Sequence, residues 1–329
     1  MTDITIAVDA TGGDVGSGLV LPACVDALAA DAALRIVLVG PEPELQLLLA
    51  DVTETGDWSS RLEIEHAPEQ VAMCARPADV LRQNANTSMH RAIQLVRDGR
   101  AGAVVSGGNT GALVALARHQ GDMLPGVRRL ALCAQLPTLL KPSFLLDVGA
   151  SVDCSPEHLH VFAKLGSALV AALAASKGGA SVPSVGCLGI GAEEGKGNQL
   201  VRDTASLLQG DAAIDYAGLV EANELLQGNC DVVVCDGFVG NVALKTAEGV
   251  AAYILQQLVK GDTAAGFTEA TGFLDANLYN GACLLGIDAI VIKSHGSASR
   301  VGMRSAIARA AGLTAGGYLD RACDAFSSA

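Results

Sequence analysis

The chain has 329 residues and a formal net charge of −13, an acidic balance that argues against nucleic acid or an anionic lipid surface as a general partner. Half of it is hydrophobic yet only 3% is aromatic, so the core has to be built from Ala, Val, Leu and Ile. Nine cysteines occur without a CxxC pair or a Cys/His cluster at zinc spacing, which predicts small core residues rather than a disulfide framework or a metal site.

Short apolar runs alternate with helical patterns along the chain. Ile4–Asp9 reads as a strand ending in the loop Thr11-Gly-Gly-Asp14, followed by a helix through Leu19–Leu28. Arg35–Val39 and Leu62–His66 read as strands, Thr87–Arg97 as a helix and Ala103–Val105 as a strand. The turn Ser106-Gly-Gly-Asn-Thr-Gly111 leads into a helix over Ala112–His119. Phe144–Asp147, Val185–Ile190 and Val232–Asp236 are further strands, the last running through Gly237-Phe-Val-Gly-Asn241 into a long helix that ends near Lys260. Ala289–Ile292 is the last strand, and the loop Lys293-Ser-His-Gly-Ser-Ala-Ser299 leads into a helix.

That rhythm predicts a three-layer α/β/α unit with a mostly parallel sheet, occupying residues 1–329 as a single domain. No run reaches the length of a spanning helix, and the N-terminal MTDITIAVDA has no charged-then-apolar leader pattern. The expectation is a cytoplasmic protein. At five places a strand runs through a Gly-rich loop into a helix: Gly12–Asp14, Gly107–Gly111, Gly149–Asp153, Gly191–Asn198 and Gly237–Asn241. Ligands of open α/β sheets bind beyond the carboxyl ends of strands, and free helix amides attract anions. Together these loops predict an anion site. None is a GxxxxGK[ST] loop, a clean dinucleotide fingerprint or a GxSxG elbow.

The loops also carry a resemblance. Asp9-Ala-Thr-Gly-Gly-Asp14 is similar to the DAMGGD opening of the PlsX phosphate acyltransferase family, and Ser106–Leu113 resembles its SAGNTGAL motif. Asp147–Asp153 is similar to DxGANxD, Gly191–Gly197 to GEEExKG, and Val234–Lys245 to VCDGFxGNxxLK. Tyr279–Gly286 and Val291–Gly296 complete the set in the family's order, from Ile4 to about Ala308. The resemblance implies transfer of a long-chain acyl group from an acyl carrier protein thioester to inorganic phosphate, giving acyl phosphate for phospholipid synthesis. It implies a homodimer with the fold of isocitrate and isopropylmalate dehydrogenases and phosphotransacetylases. It further implies no metal or organic cofactor, and a downstream glycerol-phosphate acyltransferase as a partner.

Phosphate attacking a thioester needs an anion cradle, oxyanion stabilisation and room for the acyl chain. Asn109, Lys196, Asp236, Asn241 and His295 are the expected catalytic residues. Asn109 and Thr110 can donate to phosphate or thioester, though N-capping explains them equally well. Lys196, between Gly195 and Gly197, reads either as a phosphate-facing cation, whose loss raises the phosphate requirement, or as a solvated surface lysine. His295 is the histidine placed either to protonate the leaving thiolate or to bind phosphate. Gly12, Gly13, Asp14, Arg82, Gly108, Thr110, Gly197, Gly240, Lys245 and Lys293 are the expected substrate-binding set.

Thr11, Gly107, Ser151 and Ala192 replace the family's usual Met, Ala, Asn and Glu. A shortened helical segment at about 250–278 has Lys260 as its only cation, which predicts only weak peripheral membrane contact. Docking of the carrier then falls to local basic residues among Arg91, Arg97, Arg128, Arg129, Arg300 and Arg304. A transferase using coenzyme A, a nicotinamide-dependent dehydrogenase and an inactive scaffold remain alternatives.

Overall fold

Runs of Val, Ile and Leu with little alternation form strands buried on both faces, and Ala-rich helices cover them. The computed structural model describes residues 4–52, 58, 60–82, 86–193, 195–259 and 275–327. In chain order these are β1 (Ile4–Asp9), α1 (Ser17–Ala30), β2 (Leu34–Gly40), α2 (Glu42–Val52), β3 (Leu62–His66), α3 (Pro77–Val80) and α4 (Ser88–Arg97). β4 (Ala103–Ser106), α5 (Thr110–Gln120), β5 (Ala131–Leu136), β6 (Ser143–Leu146), α6 (Pro156–Ala175), β7 (Ser184–Gly189) and α7 (Gln199–Gly210) follow. The chain continues through β8 (Asp215–Glu221), β9 (Val232–Val234) and α8 (Gly237–Val259) to a 3₁₀ turn (Ala276–Tyr279). β10 (Ala282–Leu285), β11 (Ile290–Lys293), α9 (Arg300–Ala315) and α10 (Tyr318–Ser327) complete it.

The strands form one sheet in the order β3-β2-β1-β4-β11-β10-β5-β6-β9-β7-β8. Seven of its ten pairings are parallel. Successive residues face opposite layers. Ile6 and Val8 join the core under α1, α6 and α9, whereas Ala7 faces the core under α4 and α5. The fold is thus a three-layer α/β/α arrangement. α6 is the one described helix long and apolar enough to cross a membrane, and it is a core helix packed on α7, α10 and β9.

The three antiparallel pairings are consecutive, β11-β10, β10-β5 and β5-β6. They reverse the sheet. β1, β4 and β11 therefore point one way, and β6, β9 and β7 the other. The Gly-rich loops consequently leave from two opposite edges, not from the single edge that an all-parallel sheet would give. Most of the shortened helical segment expected at 250–278 falls on residues 260–274, which lie outside the described residues.

Candidate active site

β1, β4 and β11 end level with one another, with Asp9 and Lys293 both registered on Ser106. Their loops are forced side by side. The Asp14 amide donates to Gly296 O at 2.9 Å, and Lys293 Nζ reaches Gly107 O at 3.3 Å. Glycine is required at position 12, where a Cβ would run into the Asp9 carboxylate and come within 2.8 Å of the Gly108 nitrogen. Gly13 adopts φ 99°, the left-handed region that favours glycine.

Asp9 lies beneath these loops with almost no exposure. Its carboxylate accepts hydroxyls from Ser88 and Ser106, each at 2.6 Å. Burial pushes its carboxyl up, while those hydroxyls and the amides of Thr11 and Gly12 favour the ionised form. The Thr11 hydroxyl lies 2.6 Å from Ser88 Oγ, so Thr11 extends this network. Gly107 is also accommodated, since a Cβ there would lie 2.8 Å from Gly12 O.

α8 begins at the opposite edge and runs over the second face of the sheet. Lys245, eight residues in and so about 12 Å along the axis, arrives beside the first set of loops. Between helix and loops lies a cleft of about 820 Å³. Asp14, Thr110, Lys245, Lys293 and His295 line its polar end, and Leu132, Ala134, Val148, Leu244 and Ala251 form apolar wall. Burial drives the Lys293 ammonium down to about 8, with Lys245 adding to the depression and Asp9 and Asp14 opposing it. His295 is held below the ordinary imidazole range by burial and by Lys245, so its ring is mostly neutral at pH 7. Its Nδ1 sits 3.0 Å from Ser297 Oγ.

Asn280 joins this site without having been assigned a role from sequence. Its Oδ1 accepts the His295 amide at 2.9 Å, and its Nδ2 donates to Ser294 Oγ and Gly302 O, each at 2.8 Å. It ties the loop after β11 to α9. The available signal was its place in the Tyr279–Gly286 motif.

The predicted residues divide by edge. Asp14, Thr110, Asn241, Lys245, Lys293 and His295 line the cleft, while Gly12, Gly13 and Gly108 lie in the loops packed behind it. Asn109 caps α5, accepting from the Ala112 amide at 2.9 Å, and donates to Met73 O and Ala75 O. Asp236 accepts from the amides of Phe238 and Val239 at the start of α8. Gly240 packs α8 against the backbone of Asp147. Lys196 and Gly197 follow β7 at the reversed edge and do not line the cleft; Lys196 is 54% exposed and 4.0 Å from Glu193. Arg82 is 80% exposed, pairs with Asp79 and is also absent from the lining.

The loop after β6 is shaped by Asp147, which accepts amides from Leu132, Gly149, Ala150 and Ser151. Burial nevertheless raises its carboxyl. Ser151 is itself buried and donates to Leu130 O at 2.9 Å, so its side chain points away from the cleft. Ser151→Ala is expected to cost about 1 kcal/mol of stability with turnover unchanged. Urea unfolding and steady-state rates on the same preparation check both halves of that expectation.

Among solved structures, this architecture matches phosphotransacetylases. The EutD phosphotransacetylase from Staphylococcus aureus aligns with a TM-score of 0.61 at 17% identity, covering 96% of this chain and 94% of that one. A phosphotransacetylase from Streptococcus pyogenes gives 0.62 at 17% identity, covering 97% and 94%. These likenesses define the fold. The chain belongs to the family described as fatty acid synthesis protein, whose model matches residues 4–321. A phosphate acyltransferase from Shewanella sp. (strain MR-4) is 43% identical over 320 residues, covering 93% of this chain and 92% of its own length. The chain is an acyltransferase enzyme.

Proposed function

We propose that the chain transfers a long-chain fatty acyl group from the thioester of acyl carrier protein to inorganic phosphate, giving acyl phosphate for phospholipid synthesis. The observation that carries this reading is the cleft itself, where two lysines and a histidine at one end meet apolar walls. A charged acceptor and an acyl chain are accommodated together.

A phosphate oxygen attacks the thioester carbonyl carbon. The tetrahedral intermediate collapses with loss of the C–S bond, releasing acyl phosphate and a thiolate that takes up one proton. Phosphate is already ionised near neutral pH, so positioning and charge stabilisation count for more than a general base. Lys293 and Lys245 hold the phosphate, Lys245 sharing its charge with Glu248, 2.7 Å away on the same helix, and the backbone of Gly12, Gly13 and Gly108 lies close behind. Lys293 spends two of its three N–H groups on Gly107 O and Ser294 O, which leaves one for a ligand. Thr110 and Asn241 offer further hydrogen bonds, and the neutral His295 sits where it can take the proton of the attacking hydrogen phosphate and pass it to the thiolate. Asn109 and Asp236 act by fixing the starts of α5 and α8.

The same reading makes residues 1–329 one working unit in the cytoplasm, handing acyl phosphate to a glycerol-phosphate acyltransferase through weak contact with the membrane. α8 leaves Val242, Val250 and Tyr253 exposed, a face suited to a homodimer. The test is release of free thiol from an acyl carrier thioester, followed with a thiol-reactive dye while phosphate is varied. Saturable dependence on phosphate is expected. Thiol release indifferent to phosphate would make the protein a thioesterase and end this reading.

A further inference from the structure

A second cavity, of about 410 Å³, lies at the edge where β5 begins and where β6 and β9 end. Arg128, Arg129, Ser155, Glu157 and His158 line it, over a floor of Val161 and Phe162. His158 Nδ1 is used as an acceptor from the Ser155 amide at 3.0 Å, in a capping box that starts α6. Glu157 is the single carboxylate of the lining.

The two arginines are distinguished by standing side by side with neither one engaged by another described residue. The other candidate cations are committed or isolated: Arg91 pairs with Glu65 at 2.6 Å, and Arg300 with Asp26 at 2.5 Å. Arg97 ends α4 about two turns from the paired Arg91, and Arg304 lies one turn along α9 from the paired Arg300, so neither has an unpaired arginine beside it in sequence. Arg128 and Arg129 are adjacent, exposed, and engaged by no hydrogen bond or ion pair among the described residues. On a chain of net charge −13 a pair of adjacent arginines outside any ion pair, outnumbering the one carboxylate of the cavity, is a surface feature that an acidic partner can recognise.

The pair also borders the cleft. A single loop contributes Gly149 and Val152 to the cleft and Ser155 to this cavity. At this end the cleft walls Val152 and Phe238 are 59% and 63% exposed, so the apolar passage reaches solvent beside the arginines. The polar end of the cleft lies across the sheet from that mouth. We propose that Arg128 and Arg129 form the docking rim for an acidic acyl carrier, which delivers its thioester through the mouth at Val152 and Phe238 toward Lys293 and His295. This inference rests on the transferase reading above.

The experiment compares wild type with the double variant Arg128→Glu/Arg129→Glu, using an acyl carrier thioester and, separately, a small acyl thioester of a simple thiol. Charge reversal is expected to raise KM for the carrier substrate by about tenfold or more at low salt, while the KM values for the small thioester and for phosphate stay as in wild type. The gap between variant and wild type narrows as salt rises. Equal carrier KM values in the two proteins overturn the proposal. A raised KM for phosphate also overturns it, assigning the pair to the co-substrate. Loss of binding to anionic vesicles with carrier KM unchanged assigns the pair to lipid headgroups instead. Wild-type protein inactive on every donor defeats the transferase reading itself, a different failure from an active enzyme indifferent to the arginines.

Discussion

Replacing Lys293 with methionine is expected to lower kcat/KM for phosphate by about 10²- to 10³-fold, the loss typical of removing one preorganised charge-stabilising donor. The ammonium is held at the end of β11, with Gly107 O and Ser294 O as fixed partners, facing into the cleft. Methionine keeps much of the length and apolar volume of the side chain, so the variant isolates the charge. Lys196→Ala, outside the cleft lining, is expected to stay within about twofold of wild type, because a solvated lysine contributes little. If the two variants exchange these behaviours, the anion site lies at the reversed edge.

The same lysine sets a pH signature. Its pKa is depressed to about 8, so the charged form dominates below that value and falls to about a tenth by pH 9. KM for phosphate should therefore rise as pH rises from about 8 upward, where phosphate is already the dianion and its own charge no longer changes. Initial rates between about pH 8 and 9.5 measure this, and a flat KM across the range would remove Lys293 from phosphate binding.

Gly240→Ala, in the first turn of α8, is expected to lose stability at or above the upper end of the usual range of about 1–3 kcal/mol for overpacking. A Cβ at this position would run into the backbone oxygen of Asp147 and lie 2.9 Å from Cys235 Sγ. No rotamer relieves a clash with backbone, so α8 must shift away from the loop that Asp147 organises. Gly249→Ala on the same helix is the comparison, since nothing lies within 4 Å of its added Cβ. It should be neutral or stabilising by up to about 1 kcal/mol. Urea midpoints at unchanged slope report both. Equal midpoints for the two variants would contradict the close packing of α8 on the Asp147 loop.

Local features were readable in the sequence. Apolar runs bounded by glycine gave β1 its observed limits, and the loops after β1, β4 and β11 carry the residues that meet in the cleft. Asn109 and Asp236 bond to nearby backbone, and for Asn109 capping had been the competing reading. The direction of the sheet was not readable. Ala131–Leu136 and Ala282–Leu285 are short apolar runs whose residues carry no mark of which neighbour they pair with, or in which sense. Their three antiparallel pairings send the loop of Lys196 to the opposite edge, where an all-parallel sheet would have kept it on the same edge as Lys293. Asn280 was missed because its role depends on a long-range contact, from the loop before β10 to the loop after β11.

The most direct measurement of the central claim is acyl phosphate itself. Purified protein is incubated with a long-chain acyl carrier thioester and inorganic phosphate, and the product is trapped with hydroxylamine and identified as the acyl hydroxamate. The predicted result is hydroxamate that accumulates with time, requires both substrates, and is lost with Lys293→Met. Folded protein that yields no hydroxamate above an enzyme-free control, with several chain lengths supplied, would contradict the account.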